Sequence, residues 1–259
     1  TTLLNYCFDF GSFGIFNYER KVIKHSVTVS GLKPGTVYSY RIGDAEKGFW
    51  SETGTYTTAD NSSAVSFIQV SDTAGAAQRE YDVWAKTLNA ALKTNPDTAF
   101  ILHTGDMTYN AATGKQWGMA LNSVSDILID TPLMYTSSDS DTAEFYTMTK
   151  YFNFGANTPM QTTENGLYYS YDYNNAHFTV LNTNELKEDG TLKTNQLKWL
   201  REDLEESNAA QWKILVLHQP LYGNSDSGSK LLAQISAMIE SYDIDLILQG
   251  EEAVYLRTE

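Results

Sequence analysis

Three apolar runs in the sequence end in the same way, with a side chain able to bind a cation at the tip. They are Phe67-Ile-Gln-Val-Ser-Asp72, Ile101-Leu-His-Thr-Gly-Asp106 and Ile214-Leu-Val-Leu-His218. Two carboxylates and one imidazole form an oxygen and nitrogen donor set suited to a divalent metal. Each residue alone has a plainer reading. An Asp after a strand commonly serves as a turn residue or helix cap, and a single His as a hydrogen-bonded structural residue. The repetition carries the argument: in α/β sheets ligands bind beyond the C-terminal ends of the strands, so three such tips are expected to converge.

The elements around these tips read as two regions. In the first, Val27 and Val29 alternate with polar residues, Gly31 to Gly35 has the glycine and proline of a turn, and Val37 to Ile42 and Trp50 to Thr58 resume strand patterning. This region, residues 1–59, is predicted to be a small all-β domain, and Asp60-Asn-Ser-Ser63 a polar linker. From residue 60 to 259 short apolar strands alternate with helical periodicity, the pattern of an α/β layered domain. Strands are predicted at Val65 to Val70, Ala99 to Leu102, Leu133 to Tyr135, Lys213 to Leu217 and Ile244 to Leu248. Tyr168 to Tyr173 and Ala176 to Leu181 form a hairpin turning at Asn174-Asn175. Helical spacing links Tyr81, Trp84, Leu88 and Leu92; Trp117, Leu121, Val124 and Leu128; Leu197, Leu200 and Leu204; and Leu231 to Met238.

Composition narrows the chemistry. The 259 residues are 42% hydrophobic and 13% aromatic, enough for a packed core and against disorder. The net charge is −14 and no basic stripe is present, which argues against a nucleic-acid groove or an anionic membrane patch. The longest apolar runs are too short to span a bilayer. A single cysteine, Cys7, excludes an internal disulfide and a thiolate metal cluster.

Taken in order, Asp72-Thr-Ala-Gly75, Gly105-Asp-Met-Thr-Tyr109 and the strand ending at His218 resemble the motif series of the calcineurin-like metallophosphoesterases. The tyrosine of Gly105-Asp-Met-Thr-Tyr109 is similar to the purple acid phosphatase branch. Gly31-Leu-Lys-Pro-Gly-Thr-Val-Tyr38, Trp50-Ser-Glu-Thr-Gly54, Tyr168-Tyr-Ser-Tyr171, His177-Phe-Thr-Val-Leu-Asn-Thr183, Gln196-Leu-Lys-Trp-Leu200 and Val254-Tyr-Leu-Arg-Thr258 carry the same likeness along the chain. The resemblance implies a layered sandwich of two sheets flanked by helices, behind a fibronectin type III-like β domain. It also implies that the β domain is partial and that the second domain stops just after its last motif. The activity implied is metal-dependent hydrolysis of a small phosphate ester, in an extracellular or cell-envelope setting. Oligomeric state is not legible.

The same resemblance implies a pair of metal ions. Asp106 would bridge them; Asp72 and the Tyr109 phenolate would serve one, with a histidine of a final Gly-His-x-His loop. His218, an asparagine of a Gly-Asn-His loop and the remaining histidine would serve the other. Here the sequence departs from the pattern. The asparagine position is Asp139, the histidine expected to protonate the leaving group is Ser140, and Gly250 is followed by Glu251-Glu252-Ala253. Asp139 and Glu251 remain candidate ligands, while Ala253 offers no donor. The family implies iron, zinc or manganese; a set rich in oxygen donors with one imidazole favours magnesium, manganese or calcium. His103, three residues before Asp106, is expected to support a ligand from behind, and His177 to be structural. Two readings stay open: a phosphoric ester hydrolase with a modified site, of one or two metals, and a catalytically silent relative kept for binding or scaffolding.

Overall fold

The computed structural model describes residues 2–5, 26–60, 62, 64–110, 114–138, 151–152, 168–223, 227–252 and 254–257. The first region is a set of short antiparallel pairs. β1 (Thr2–Asn5) pairs with β2 (Ser26–Val29), β3 (Val37–Tyr40) with β6 (Gly54–Thr57), and β4 (Gly43–Asp44) with β5 (Phe49–Trp50). The run read as one strand from Trp50 to Thr58 is interrupted, because Ser51 turns to donate its N–H to the Ile42 carbonyl while its hydroxyl oxygen accepts the Ile42 N–H. Tyr40 and Thr55 fasten this region to the second one: the Tyr40 hydroxyl donates to the Ile129 carbonyl, and Thr55 to the Asp130 carboxylate.

The second region holds two sheets. One is parallel, in the order β7 (Phe67–Val70), β8 (Phe100–His103), β9 (Leu133–Tyr135). The other has the order β10 (Tyr169–Tyr173), β11 (Ala176–Val180), β12 (Trp212–Val216), β13 (Leu246–Leu248), antiparallel at the hairpin and parallel thereafter. The hairpin turns where expected, with Asn174 in the left-handed region at φ 54°.

Period-two alternation decides which face each side chain takes. On β8, Phe100 and Leu102 join the cluster between the sheets, while Ile101 packs outward against Trp84 and Trp117. On β12, Ile214 and Val216 face between the sheets, while Leu215, and Leu217 just after the strand, face outward. Between the sheets Phe67 stacks on Phe100, and Phe100 meets the edge of Phe178, each pair at 5.4 Å between ring centroids.

Helices cover the outer faces. α1 (Gln78–Thr94) buries Tyr81, Trp84 and Leu88 on the first sheet, and Glu80 stabilises its start by accepting the N–H groups of Ala76 and Ala77. α2 (Lys115–Asn122) and α3 (Ser125–Leu128) follow. The spacing of Trp117 to Leu128 predicts one helix there, but Val124 leaves helical backbone at φ −123° while staying buried. A core contact, rather than helical continuity, sets the chain at that point. α4 (Thr194–Glu206) and α5 (Ser227–Ser241) belong to the second sheet's side, where Trp199, Leu200, Leu204, Leu231 and Ile235 share one core.

β11 is buried along its whole length yet carries His177 and Thr179 on its outward side. Both are satisfied by Asp203 of α4, which accepts from Thr179 Oγ1 at 2.8 Å and lies 3.0 Å from His177 Nε2. Asp172 holds the other ring nitrogen at 2.7 Å, and the Ser170 hydroxyl donates to Asp203. His177 is therefore structural, as expected, but through a charged cluster that its strand pattern alone does not reveal. Burial by itself would push its pKa down; the hydrogen bonds and charges of Asp172 and Asp203 outweigh this and hold it up at about 9.

Candidate metal centre

The parallel pairing of β7 and β8 continues into the loops that follow them. Thr104 N–H donates to Val70, Asp72 N–H to Gly105 and Ala74 N–H to the Asp106 carbonyl, so the two loops run side by side. His218 follows β12 and continues its alternation toward the opposite sheet. As a result donor atoms of Asp72, Asp106 and His218 all lie within 4.8 Å of one another. The three strand tips converge, and the site sits on the seam between the two sheets.

His218 is fully buried. Its Nδ1 lies 2.8 Å from the Thr104 carbonyl oxygen, which can only accept, so Nδ1 carries a proton and donates that hydrogen bond. Nε2 has no hydrogen-bond partner among the described residues. A buried, unsatisfied nitrogen costs roughly 1–3 kcal/mol unless something else engages it. It faces Asp106 Oδ1 at 3.5 Å and Glu251 Oε2 at 2.8 Å, with the Glu251 oxygen out of line for a hydrogen bond to the ring. Asp72, Asp106 and His218 make a donor set that fits one divalent cation.

Backbone strain concentrates at the same place. Asp72, Ala74, Asp106 and Glu251 all have φ between 39° and 68°, a left-handed backbone that costs a non-glycine residue roughly 1 kcal/mol or more. Two glycines let the loops close. A Cβ on Gly105 would stand 2.4 Å from His218 Nδ1, and Gly105 itself has φ 104°. A Cβ on Gly250 would meet Ser71 Oγ at 2.4 Å and the Thr104 carbonyl oxygen at 2.6 Å. The role of these glycines was hidden in the sequence, where each is one glycine in a loop.

Burial holds the Asp72 carboxyl above the usual carboxylate range; the Asp106 charge adds to this, while His218 and a hydrogen bond from the Glu251 N–H oppose it. The Asp106 N–H donates to Ser138 Oγ at 2.8 Å. Ser138, just beyond the tip of β9, is a further contributor that sequence reasoning missed. His103 is buried between Trp84 and Tyr135. Its Nδ1 accepts the Gly105 N–H at 3.3 Å, which leaves Nε2–H to donate to Thr73 Oγ1 at 3.0 Å. It thus ties the loop of Asp72 to the loop of Asp106 from behind. Burial first, and His218 second, push its pKa down to about 3, so the ring stays neutral.

The remaining sequence candidates are placed unequally. Glu251 brings Oε2 to 2.8 Å from His218 Nε2, but the groups whose donor atoms all lie within 4.8 Å of one another are Asp72, Asp106 and His218. The Tyr109 ring is 69% exposed at the loop tip, where its N–H donates to the Gly75 carbonyl. Asp139, Ser140 and Ala253 lie outside the described residues, as do Cys7 and His25.

Comparison with known proteins agrees with this architecture. Residues 11–58 match the family described as the purple acid phosphatase N-terminal domain, and residues 65–255 match the calcineurin-like phosphoesterases. The chain is similar to purple acid phosphatase 15 of Arabidopsis thaliana, 23% identical over 95% of this chain and 51% of the relative. It is also similar to human acid phosphatase type 7, 28% identical over 92% of this chain and 58% of the relative. The chain spans about half the length of the curated relatives it matches. A purple acid phosphatase from yellow lupin (Lupinus luteus) seeds superposes with a TM-score of 0.68 at 18% identity, over 86% of this chain and 45% of the other, which speaks for the fold. With a match across most of its length and two sheets meeting at a carboxylate and imidazole cluster, the chain belongs to the calcineurin-like phosphoesterase family, in its purple acid phosphatase branch.

Proposed function

We propose that this chain hydrolyses small phosphate esters, using a divalent cation held by Asp72, Asp106 and His218. One observation carries the reading: the donor atoms of Asp72, Asp106 and His218 lie within 4.8 Å of one another, with both carboxylates on loops strained into position. When bound there, a divalent cation supplies Lewis acidity toward a phosphoryl oxygen and toward a water molecule.

The protein's own groups orient this chemistry. The Thr104 carbonyl orients the His218 ring, Ser138 holds the backbone of Asp106, and His103 links the two carboxylate loops. Proton delivery to the leaving oxygen is the weak step. Ser140 stands at the position where the family pattern has a histidine, and a serine hydroxyl donates poorly near neutral pH. His103 is committed to Thr73 and Gly105, and His177 to Asp172 and Asp203. Esters whose leaving group departs unassisted, such as aryl phosphates, are therefore the favoured class, and alkyl phosphates are disfavoured.

Metal content and turnover of an aryl phosphate with added manganese or magnesium test the proposal. Absence of both bound metal and turnover removes it. A second reading, a silent relative that binds phosphate esters without turnover, is favoured by Ser140 and by the exposed Tyr109 ring. Metal binding without hydrolysis of any aryl phosphate would select it.

A further inference from the structure

At the end of β11 the chain leaves its ladder inside the core, and α4 takes over the bonding. Leu181 N–H still donates to the Val216 carbonyl of β12. The next residue, Asn182, is buried, and its peptide groups need other partners. Gln196 supplies both: its Oε1 accepts the Asn182 N–H at 2.8 Å, and its Nε2 donates to the Asn182 carbonyl at 2.9 Å. The Asn182 side chain turns to the first sheet. Its Oδ1 accepts the Ser137 hydroxyl at 3.4 Å and the Asn184 N–H at 3.0 Å, while Asn184 Nδ2 donates to Ser137 Oγ at 3.3 Å. Ser137 precedes Ser138, whose Oγ accepts the Asp106 N–H. On the other side Thr183 Oγ1 accepts the Gln219 N–H at 3.0 Å, one residue past His218. The tip of β11 is thereby linked to Asp106 through Ser137 and Ser138, and to His218 through Gln219.

A second glutamine performs the same backbone task elsewhere. Gln234 of α5 accepts the Leu192 N–H at 2.8 Å and donates to the Leu192 carbonyl at 3.4 Å, and Leu192 is as buried as Asn182. The loop before Leu192, however, bonds within itself, Lys187 N–H to the Thr191 carbonyl and Thr191 to the Asp189 carboxylate. The two glutamines thus separate holding a buried backbone from placing a ligand. We propose that Gln196 is a positioning residue for the metal centre, acting through Asn182 and Thr183 on the backbones that carry Asp106 and His218, whereas Gln234 supports the fold alone. The proposal rests on the reading that Asp72, Asp106 and His218 hold a divalent cation, and not on hydrolysis. Groups that orient metal ligands from behind typically carry roughly ten- to hundredfold in metal affinity.

The test is manganese binding to the metal-free chain, without substrate. Calorimetry gives the affinity, electron paramagnetic resonance the geometry around the bound ion, and urea unfolding without metal the stability. Gln196→Ala is expected to weaken manganese binding at least about tenfold and to change the resonance spectrum. Asn182→Ala, which keeps both backbone bonds to Gln196, is expected to do the same, and it decides the matter if Gln196→Ala does not fold. Gln234→Ala is expected to lose stability as well, yet to bind manganese with the parent's affinity and spectrum. Parent affinity and spectrum in Asn182→Ala, or an equal loss of affinity in Gln234→Ala, overturns the proposal and leaves the metal reading intact. A parent that binds no manganese overturns both. Weakened binding in Gln196→Ala and Asn182→Ala alone upholds it, whether or not the chain turns over an aryl phosphate.

Discussion

The charged cluster on β11 makes a quantitative claim about stability and pH. His177 is 6% exposed, bridges Asp172 and Asp203, and is held up at about 9 against about 6.5 in an unfolded chain. Because the folded pKa is the higher one, folding takes up a proton between these values. The stabilisation is fully present below about pH 6.5, declines as pH rises, and is gone above about pH 9. A difference of about 2.5 units corresponds to at most about 3.4 kcal/mol, and screening of Asp172, whose side chain is 76% exposed, lowers that ceiling. Urea unfolding followed by tryptophan fluorescence at pH 6.5, 7.5, 8.5 and 9.5 measures it. The parent is expected to lose up to about 1.4 kcal/mol per pH unit inside the window. His177→Gln leaves Asp203 buried beside no cation, so it is expected to start several kcal/mol lower and to lack that slope. A parent profile that is flat from pH 6.5 to 9, or a variant that keeps the parent's slope, refutes the charged state assigned to His177.

Other perturbations bear on the centre and the core. Gly105→Ala forces a Cβ into His218 at a φ of 104°, and is expected to cost more than about 2 kcal/mol and to abolish manganese binding, read by thermal unfolding with and without metal. Phe178→Ala removes a fully buried ring from between the sheets and is expected to cost about 3–5 kcal/mol in urea unfolding. Manganese at one hundred times its dissociation constant is expected to stabilise the parent by about 2.7 kcal/mol, an increment reversed by chelator and missing in Asp106→Asn.

Much of this architecture could be read from the chain because its elements are locally consistent. The apolar runs of β7, β8 and β12 end in polar tips, and a parallel sheet brings such tips to one edge, so Asp72, Asp106 and His218 were legible together. The break at Val124 was not, because helical spacing persists through it and only a core contact turns the chain. Nor was the partnership of His177 with Asp203, two residues 26 apart whose meeting depends on α4 lying across β11. Ser138 and Gly250 escaped for a related reason. A hydroxyl that accepts one backbone N–H, and a glycine that leaves room for an imidazole, have no pattern along the sequence; their roles exist only once the two sheets are in place.

His218 reaches across that seam, rooted in the second sheet and bonded to the Thr104 carbonyl of the first. Any ion held there would be a rivet through two plates rather than a guest in one of them. Its affinity would then report the spacing of the plates, so a change deep among Phe67, Phe100 and Phe178 would be felt at the rivet without touching a ligand. The converse also holds: occupancy would resist sliding of one sheet over the other, and stripping the ion would free that sliding mode before it unfolded either sheet.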